Sequence, residues 1–311
     1  MTLWLDPQPV DTSPLDELGL IPYVAQTLMR RGFNTPASAR AFLDPFHTNS
    51  ASKTSLPDTD KVIECITRTI RANDPICVWG DFDVDGQTAT TILVQTLQSM
   101  GANVSYHIPI RSKEGHGVNL ENLAPIIDDG IKLIITCDTG ISAIKEANYA
   151  SLHGVEFIIT DHHDLPNQLP DAAALVNPKF LPKNHPLADL PGAGVAYKLA
   201  EALFAKKMPG IDGTYDPQFG YPGTLLDLAV LGIISDLALL KGETRSLAQK
   251  GIQLLRNTNR VGLKAIAQMA GIDLSQATEE TIGFALGPRL NALGRLSDAN
   301  PSVELFLTNN P

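Results

Sequence analysis

Asp81, Asp83 and Asp85 occupy alternate positions in a five-residue stretch bounded by Gly80 and Gly86. Carboxylates this close raise one another's pKa and repel, so the arrangement calls for a countercharge. All-oxygen donors favour hard divalent cations, and Mn2+ or Mg2+ is the natural partner. The plainer alternative is that one aspartate caps a helix while the others are solvated. Asp85, directly before Gly86, is the candidate cap. Two further places carry related chemistry. Asp138 stands between Cys137 and the turn residues Thr139-Gly140, and Asp161 is followed by His162 and His163. A single histidine is most often a satisfied core or surface residue, but two in a row behind an aspartate are seldom incidental. A mixture of carboxylates and imidazoles around open coordination positions is what a hydrolytic dinuclear site requires.

The elements that must position these residues follow from the apolar pattern. Segments 76–80, 132–137 and 155–160 are short β-branched, apolar runs that read as buried strands, with 104–108 and 173–176 as two more. Helical patterns at 87–100, 119–128 (capped by Asn119) and 141–152 separate them. Such alternation with short links predicts a parallel β-sheet flanked by helices. Ligands bind beyond the carboxyl ends of strands in these sheets, where all three acidic groups fall.

The expected class is therefore α/β: an α/β domain over 57–190, an N-terminal helical preface over 1–56, and a smaller, mainly helical region over 191–311. In the preface, Asp16 to Arg31 and Pro36 to Leu43 read as helices, and His47 to Pro57 as a polar connector. Asp58 begins an amphipathic helix with Val62, Ile63, Ile66 and Ile70 on one face and Cys65 on its edge. Beyond 191, glycine and proline gather at Pro209 to Gly223. Leu225 to Leu240 reads as a buried helix that contains Asp236, an expensive place for a charge unless it is paired or coordinated. Segments 245–256 and 261–269 read as amphipathic helices whose Lys250, Arg256, Arg260 and Lys264 form a solvated face. Arg289, Asn291 and Arg295 stand among Gly and Pro rather than along a helix face.

Composition bounds the partners. The 311 residues carry a formal charge of −10, which argues against broad electrostatic wrapping of nucleic acid but leaves room for a local basic groove. No apolar stretch is long enough to span a bilayer, and the first residues lack the basic start and apolar core of a signal peptide. Cys65, Cys77 and Cys137 have no paired spacing and read as reduced, buried small residues, so the expected location is cytoplasmic.

Taken together, Asp81-Phe82-Asp83 with Asp85-Gly86, Cys137-Asp138-Thr139-Gly140, Asp161-His162-His163 and Asn177-Pro178-Lys179 resemble the successive motifs of the DHH phosphoesterases. Within that family the chain is most similar to the RecJ-like single-stranded-DNA-specific exonucleases. Ile108-Pro109 with Arg111 and Glu114-Gly115 carries this likeness, as do the small-residue segment from Gly192 to Lys198, Leu231 to Asp236, and Gly287 to Leu296. The resemblance implies that Asp81, Asp83, Asp138, His162 and Asp236 hold two Mn2+ or Mg2+ ions, with Asp138 as the bridge. It implies that His163 faces the phosphate, that Asp161 orients His162 through its ring N–H, and that Arg111, Arg289, Asn291 and Arg295 approach the substrate phosphates. One departure is Trp79, where many members carry a histidine. A tryptophan cannot ligate.

The function so implied is metal-dependent 5′→3′ hydrolysis of single-stranded DNA, with DNA-repair or single-strand-binding proteins as candidate partners. RecJ-like proteins continue into further substrate-binding domains, so this chain is expected to be the catalytic half. The rivals are another DHH phosphoesterase acting on short oligonucleotides or cyclic dinucleotides, and a nuclease-inactive replication scaffold, which would be expected to have lost ligands.

Overall fold

A computed structural model describes residues 8–47, 56–205 and 222–310. The chain divides into two compact units, residues 1–50 and 51–311. Most of the expected connector at His47 to Pro57 and of the Gly/Pro cluster at Pro209 to Gly223 lies outside the described residues.

In the first unit, the single helix expected from Asp16 to Arg31 is two elements. A 3-10 turn at Ser13–Leu18 ends at Gly19, whose φ of 60° is left-handed, and α1 (Pro22–Arg30) begins afresh with proline in its first position. Thr35 and Ser38 form a capping box at the start of α2 (Pro36–Leu43), and Leu15, Leu28 and Ala39 make a small core.

The second unit opens with α3 (Thr59–Ala72), preceded by Asp58. It buries Val62, Ile63 and Ile66, and Cys65 joins that core rather than lying at its edge. Then come β1 (Ile76–Trp79), α4 (Val84–Ser99), β2 (Val104–His107), α5 (Arg111–Glu114), α6 (Leu120–Asp128), β3 (Leu133–Cys137), α7 (Ile144–Leu152), β4 (Glu156–Thr160) and β5 (Ala174–Val176). Asn119 caps α6 by accepting from the Asn122 N–H at 3.0 Å. The strands pair in parallel in the order β2-β1-β3-β4-β5. β1 and β3 are buried along their whole length, which their continuous apolar runs require. The order reverses between β1 and β3, so the crevice beyond their carboxyl ends is the topological switch point of the sheet.

Helices α8 (Gly192–Ala205), α9 (Leu226–Ser235), α10 (Gly242–Arg256), α11 (Val261–Met269), α12 (Gly287–Leu296) and α13 (Asn300–Leu307) complete the unit. α4 lies against both α8 and α9 and is almost wholly buried, although it carries Gln87 and four threonines. Thr88, Thr90, Thr91 and Thr96 each donate to the carbonyl four residues back at 2.7–2.8 Å, which satisfies their hydroxyls inside the helix. Arg260, expected on a solvated face, is instead a partly buried tie: its Nε donates to Asp227 at 2.9 Å and its terminal nitrogens reach the Phe306 carbonyl and Gln95. Arg256 likewise donates to the Ala277 carbonyl.

Candidate metal centre

Strand register alone brings three aspartates into one row. Trp79 pairs with Thr136, so Asp81 and Asp138 each lie two residues beyond that pair. Cys137 pairs with Thr160, so Asp138 and Asp161 are both the first residue past the ladder. All three are buried at the carboxyl edge of the sheet. Trp79 itself points into the core, its ring 4.5 Å from that of His107, and takes no part in the row.

α4 delivers the next two carboxylates, in a way the sequence reading reversed. Asp83, not Asp85, is its cap: the Asp83 side chain accepts the Gly86 N–H at 3.0 Å. Helix α4 therefore starts at Val84, and Gly86 lies inside it. A side chain there would meet the Asp81 backbone at 2.5 Å, so glycine lets the first turn close onto the strand end. Asp85 turns the other way and accepts from the Gly192 and Ala193 N–H groups of α8 at 2.6 and 2.8 Å. It thus pins the positive end of α8 onto the site. A Cβ on Gly192 would stand 2.5 Å from the Asp138 Cβ, so the start of α8 can approach Asp138 only as glycine.

The two histidines behave differently. Asp161 Oδ1 accepts from the His163 ring Nδ1 at 2.7 Å and from the backbone N–H groups of His162 and His163, while Oδ2 accepts from the Ile141 N–H. The expected pairing of Asp161 with the His162 ring is therefore corrected: the bend after β4 carries the His162 ring away from Asp161. His162 Nε2 lies 3.0 Å from Asp138 Oδ1 and 3.8 Å from Asp85 Oδ2. Asp236 is not inside a buried helix either. α9 ends at Ser235, and Asp236 is its partly buried C-cap, where it joins Asp85 and His162.

The electrostatics follow from this packing. Burial raises Asp83, and it raises Asp85 and Asp138 well above the usual carboxylate range, with repulsion between the aspartates adding to it. Burial also lifts Asp236 to about 6, reinforced by Asp83. Burial pushes His162 down to about 4, so its imidazole is neutral at neutral pH. The hydrogen bond to Asp161 lifts His163 to about 9. For Asp161 burial acts upward, but the hydrogen bonds and charge it receives from His163 prevail and lower it.

Three sets of side chains could each hold a cation, with donor atoms within 4.8 Å of one another: Asp81, Asp83 and Asp138; Asp138, His162 and His163; and Asp85, His162 and Asp236. Asp138 and His162 each belong to two sets, so the sets form one continuous constellation. The fit to a divalent metal is supported by one buried atom. Asp138 Oδ1 has no hydrogen-bond partner among the described residues, although the neutral His162 Nε2 lies 3.0 Å away. A buried carboxylate oxygen left without a donor beside an imidazole nitrogen suits a shared cation.

Asp81, Asp83, Asp138, His162 and Asp236 are thus brought together, with Asp161 and His163 beside them. Of the four residues expected at the phosphates, Arg111 and the α12 residues lie near one another, because α5 packs against α12. Segment 287–295 is no loop: Gly287–Leu296 is α12, continuing a π-helical turn over Thr281–Leu286. Asn291 Oδ1 is spent on the Val84 N–H at 3.0 Å and Arg289 on the Ala285 carbonyl at 2.7 Å, while Arg295 is exposed. Arg111 stacks its guanidinium 5.0 Å from the centre of the Phe82 ring, at the mouth of the site. The sequence reading missed two participants, Asp85 and His116. Asp85 is the third aspartate of the alternating run, where its place before Gly86 suggests a cap. His116 carried only the signal of two flanking glycines.

The DHH family, N-terminal domain, matches residues 75–233. The single-stranded-DNA-specific exonuclease RecJ of Bacillus subtilis (strain 168) is 41% identical over 293 residues, covering 94% of this chain and 36% of that protein. The enzyme of the same name from Escherichia coli (strain K12) is 36% identical over 260 residues, 82% of this chain and 45% of its own length. Among solved structures, an exonuclease RecJ bound to manganese aligns with a TM-score of 0.73 at 32% identity, over 84% of this chain and 63% of that one. A RecJ in complex with Mn2+ from Thermus thermophilus aligns with a TM-score of 0.79 at 28% identity, over 96% of this chain and 41% of that one. The chain spans less than half the length of the curated relatives it matches.

Proposed function

The chain belongs to the DHH family, and from that premise we propose that it is the catalytic part of a metal-dependent 5′→3′ exonuclease acting on single-stranded DNA. The observation that carries the reading is the meeting of Asp81, Asp83, Asp138, His162 and Asp236 at one switch point around an unpartnered, buried carboxylate oxygen. These five, joined by Asp85, would hold two Mn2+ or Mg2+ ions, the metals named for the solved RecJ structures. Such ions supply Lewis acidity toward a phosphoryl oxygen and lower the pKa of water.

The chain's own residues do the rest. Neutral His162 presents a lone pair to the centre, and the depressed pKa keeps it available there. His163, charged and held by Asp161, can donate from its free ring nitrogen to a phosphoryl oxygen. Arg111, exposed at the rim on Phe82, is placed to bind a terminal phosphate with its planar fork. We further propose the partition into a preface over 1–56, an α/β domain over 57–190 and a helical region over 191–311, the last completing the centre through Gly192, Ala193 and Asp236. A cytoplasmic location fits the three free, buried cysteines, and among the described residues no helix is long and apolar enough to cross a membrane.

The test is release of mononucleotides from 5′- and 3′-labelled single-stranded DNA, with and without Mn2+. Early release of the 5′ label alone, only with metal, is expected. Release only from dinucleotides or cyclic dinucleotides would assign a different DHH substrate. No hydrolysis despite Mn2+ binding would point to a scaffold.

A further inference from the structure

His116 lies on the segment between α5 and α6, outside the three sets of side chains that could hold a cation. Its Nδ1 is 3.1 Å from Asp81 Oδ1. Gly115 and Gly117 on either side have φ of 81° and 80°, left-handed values that suit glycine, so the backbone turns twice to bring one side chain back over the sheet edge. The turn is anchored from both sides. Glu114 is bound by the His107 ring at 2.8 Å, and the Glu114 carbonyl accepts from Asn119. The imidazole rests on the Phe82 ring, centroids 5.6 Å apart, and meets His163 edge-on at 6.5 Å. Phe82 thus carries Arg111 and His116 together.

We infer that His116 is a positioning residue for Asp81: it engages one carboxylate oxygen and thereby fixes how the other is offered to a metal. This rests on the metal-dependent reading above. A carboxylate on a strand end can rotate and can bind a cation through one oxygen or both. Asp81 is 5% exposed and His116 64%, so the histidine reaches in from solvent to the open side of the buried acid. An imidazole bearing hydrogen on Nδ1 makes this donation whether neutral or charged, so the contact needs no particular protonation state. Partners that orient a metal-binding side chain in this way typically contribute 10–100-fold in metal affinity.

The experiment measures Mn2+ binding through the electron paramagnetic resonance signal of the free ion, for the wild type, His116→Ala and His116→Asn. The Asn amide can place a donor close to the histidine Nδ1. Expected are roughly 10-fold weaker binding in His116→Ala, recovery of most of it in His116→Asn, and a metal-free melting point nearly unchanged in both. Equal affinity of wild type and His116→Ala would overturn the inference. So would an equal loss in both variants, or a loss that tracks a lowered melting point. A wild type that binds no Mn2+ would instead overturn the metal-dependent reading beneath it.

Discussion

Asp161 grips His163 twice through a single oxygen: Oδ1 accepts the ring Nδ1–H at 2.7 Å and the backbone N–H of the same residue at 3.1 Å. The neighbouring His162 has no such grip on its ring and is mostly buried. Two adjacent imidazoles are therefore held in opposite states at neutral pH, one charged at the rim and one neutral in the interior.

This difference sets a pH dependence for the metal-free protein. The folded-state pKa of His163 is raised to about 9 from 6.5. Its contribution is therefore complete below pH 6.5 and is lost as pH rises through 9. His116 also shifts upward from 6.5, through its hydrogen bond to Asp81, so it acts in the same sense. The melting point should fall between pH 6.5 and 9 without metal, and Asp161→Asn should flatten the slope. A wild-type curve that rises across the window would remove the charged-His163 assignment.

Asp85 and Asp138 are both buried, yet their removal should have opposite consequences. Asp85 satisfies two buried N–H groups of α8, so Asp85→Ala should destabilise the metal-free protein by about 1–3 kcal/mol, the penalty for leaving buried donors unpaired. Asp138 Oδ1 has no such partner, and its charge adds to the repulsion. Asp138 has a left-handed φ of 61°, which asparagine tolerates and alanine does not, so Asp138→Asn is the cleaner variant. It should leave metal-free stability unchanged or slightly raised, abolish hydrolysis and remove most of the Mn2+-induced rise in melting point. Urea unfolding of both variants, with and without Mn2+, decides the matter. Parallel losses in the two would mean that Asp138 is a structural residue.

The sheet and its acidic edge were legible because apolar-run signals are local, and parallel register then aligns Asp81, Asp138 and Asp161 automatically. What the sequence hid were relationships between distant segments. Asp85 reads as a cap until α8 is seen to supply its donors from more than 100 residues away. Asn291 reads as a phosphate contact alone, whereas α12 also places its Oδ1 on the Val84 N–H. The proline and glycines at 287–294 suggested a loop, but Pro288 stands in the first turn of α12, where proline is tolerated, and Gly294 is a close approach to the Phe82 backbone.

Gly192→Ala tests that tight joint directly. The added methyl group would have to occupy space 2.5 Å from the Asp138 Cβ, and both atoms belong to rigid ends of elements. Overpacking of this kind costs about 1–3 kcal/mol. Because the strain falls on Asp138, Mn2+ affinity should drop together with the denaturation midpoint. A variant with wild-type midpoint and wild-type Mn2+ binding would show that the start of α8 can retreat without disturbing the site.

The last prediction separates the residues expected at the phosphates. Asn291 is committed to the first amide of α4, so Asn291→Ala should act mainly on stability, by about 0.5–2 kcal/mol as for a lost helix cap. Arg111 is exposed, rests on the face of Phe82, and has fork donors to offer. A hydrogen bond between charged groups contributes about 1.5–3 kcal/mol. Arg111→Ala should therefore raise KM for 5′-phosphorylated strands by roughly 10–100-fold. KM for 5′-hydroxyl strands and the denaturation midpoint should stay close to wild type. Both variants are assayed on both substrates, beside a urea titration. If Asn291→Ala raised KM while Arg111→Ala left both substrates unaffected, α12 rather than α5 would hold the phosphate, and the fork on Phe82 would have no part in choosing the strand end.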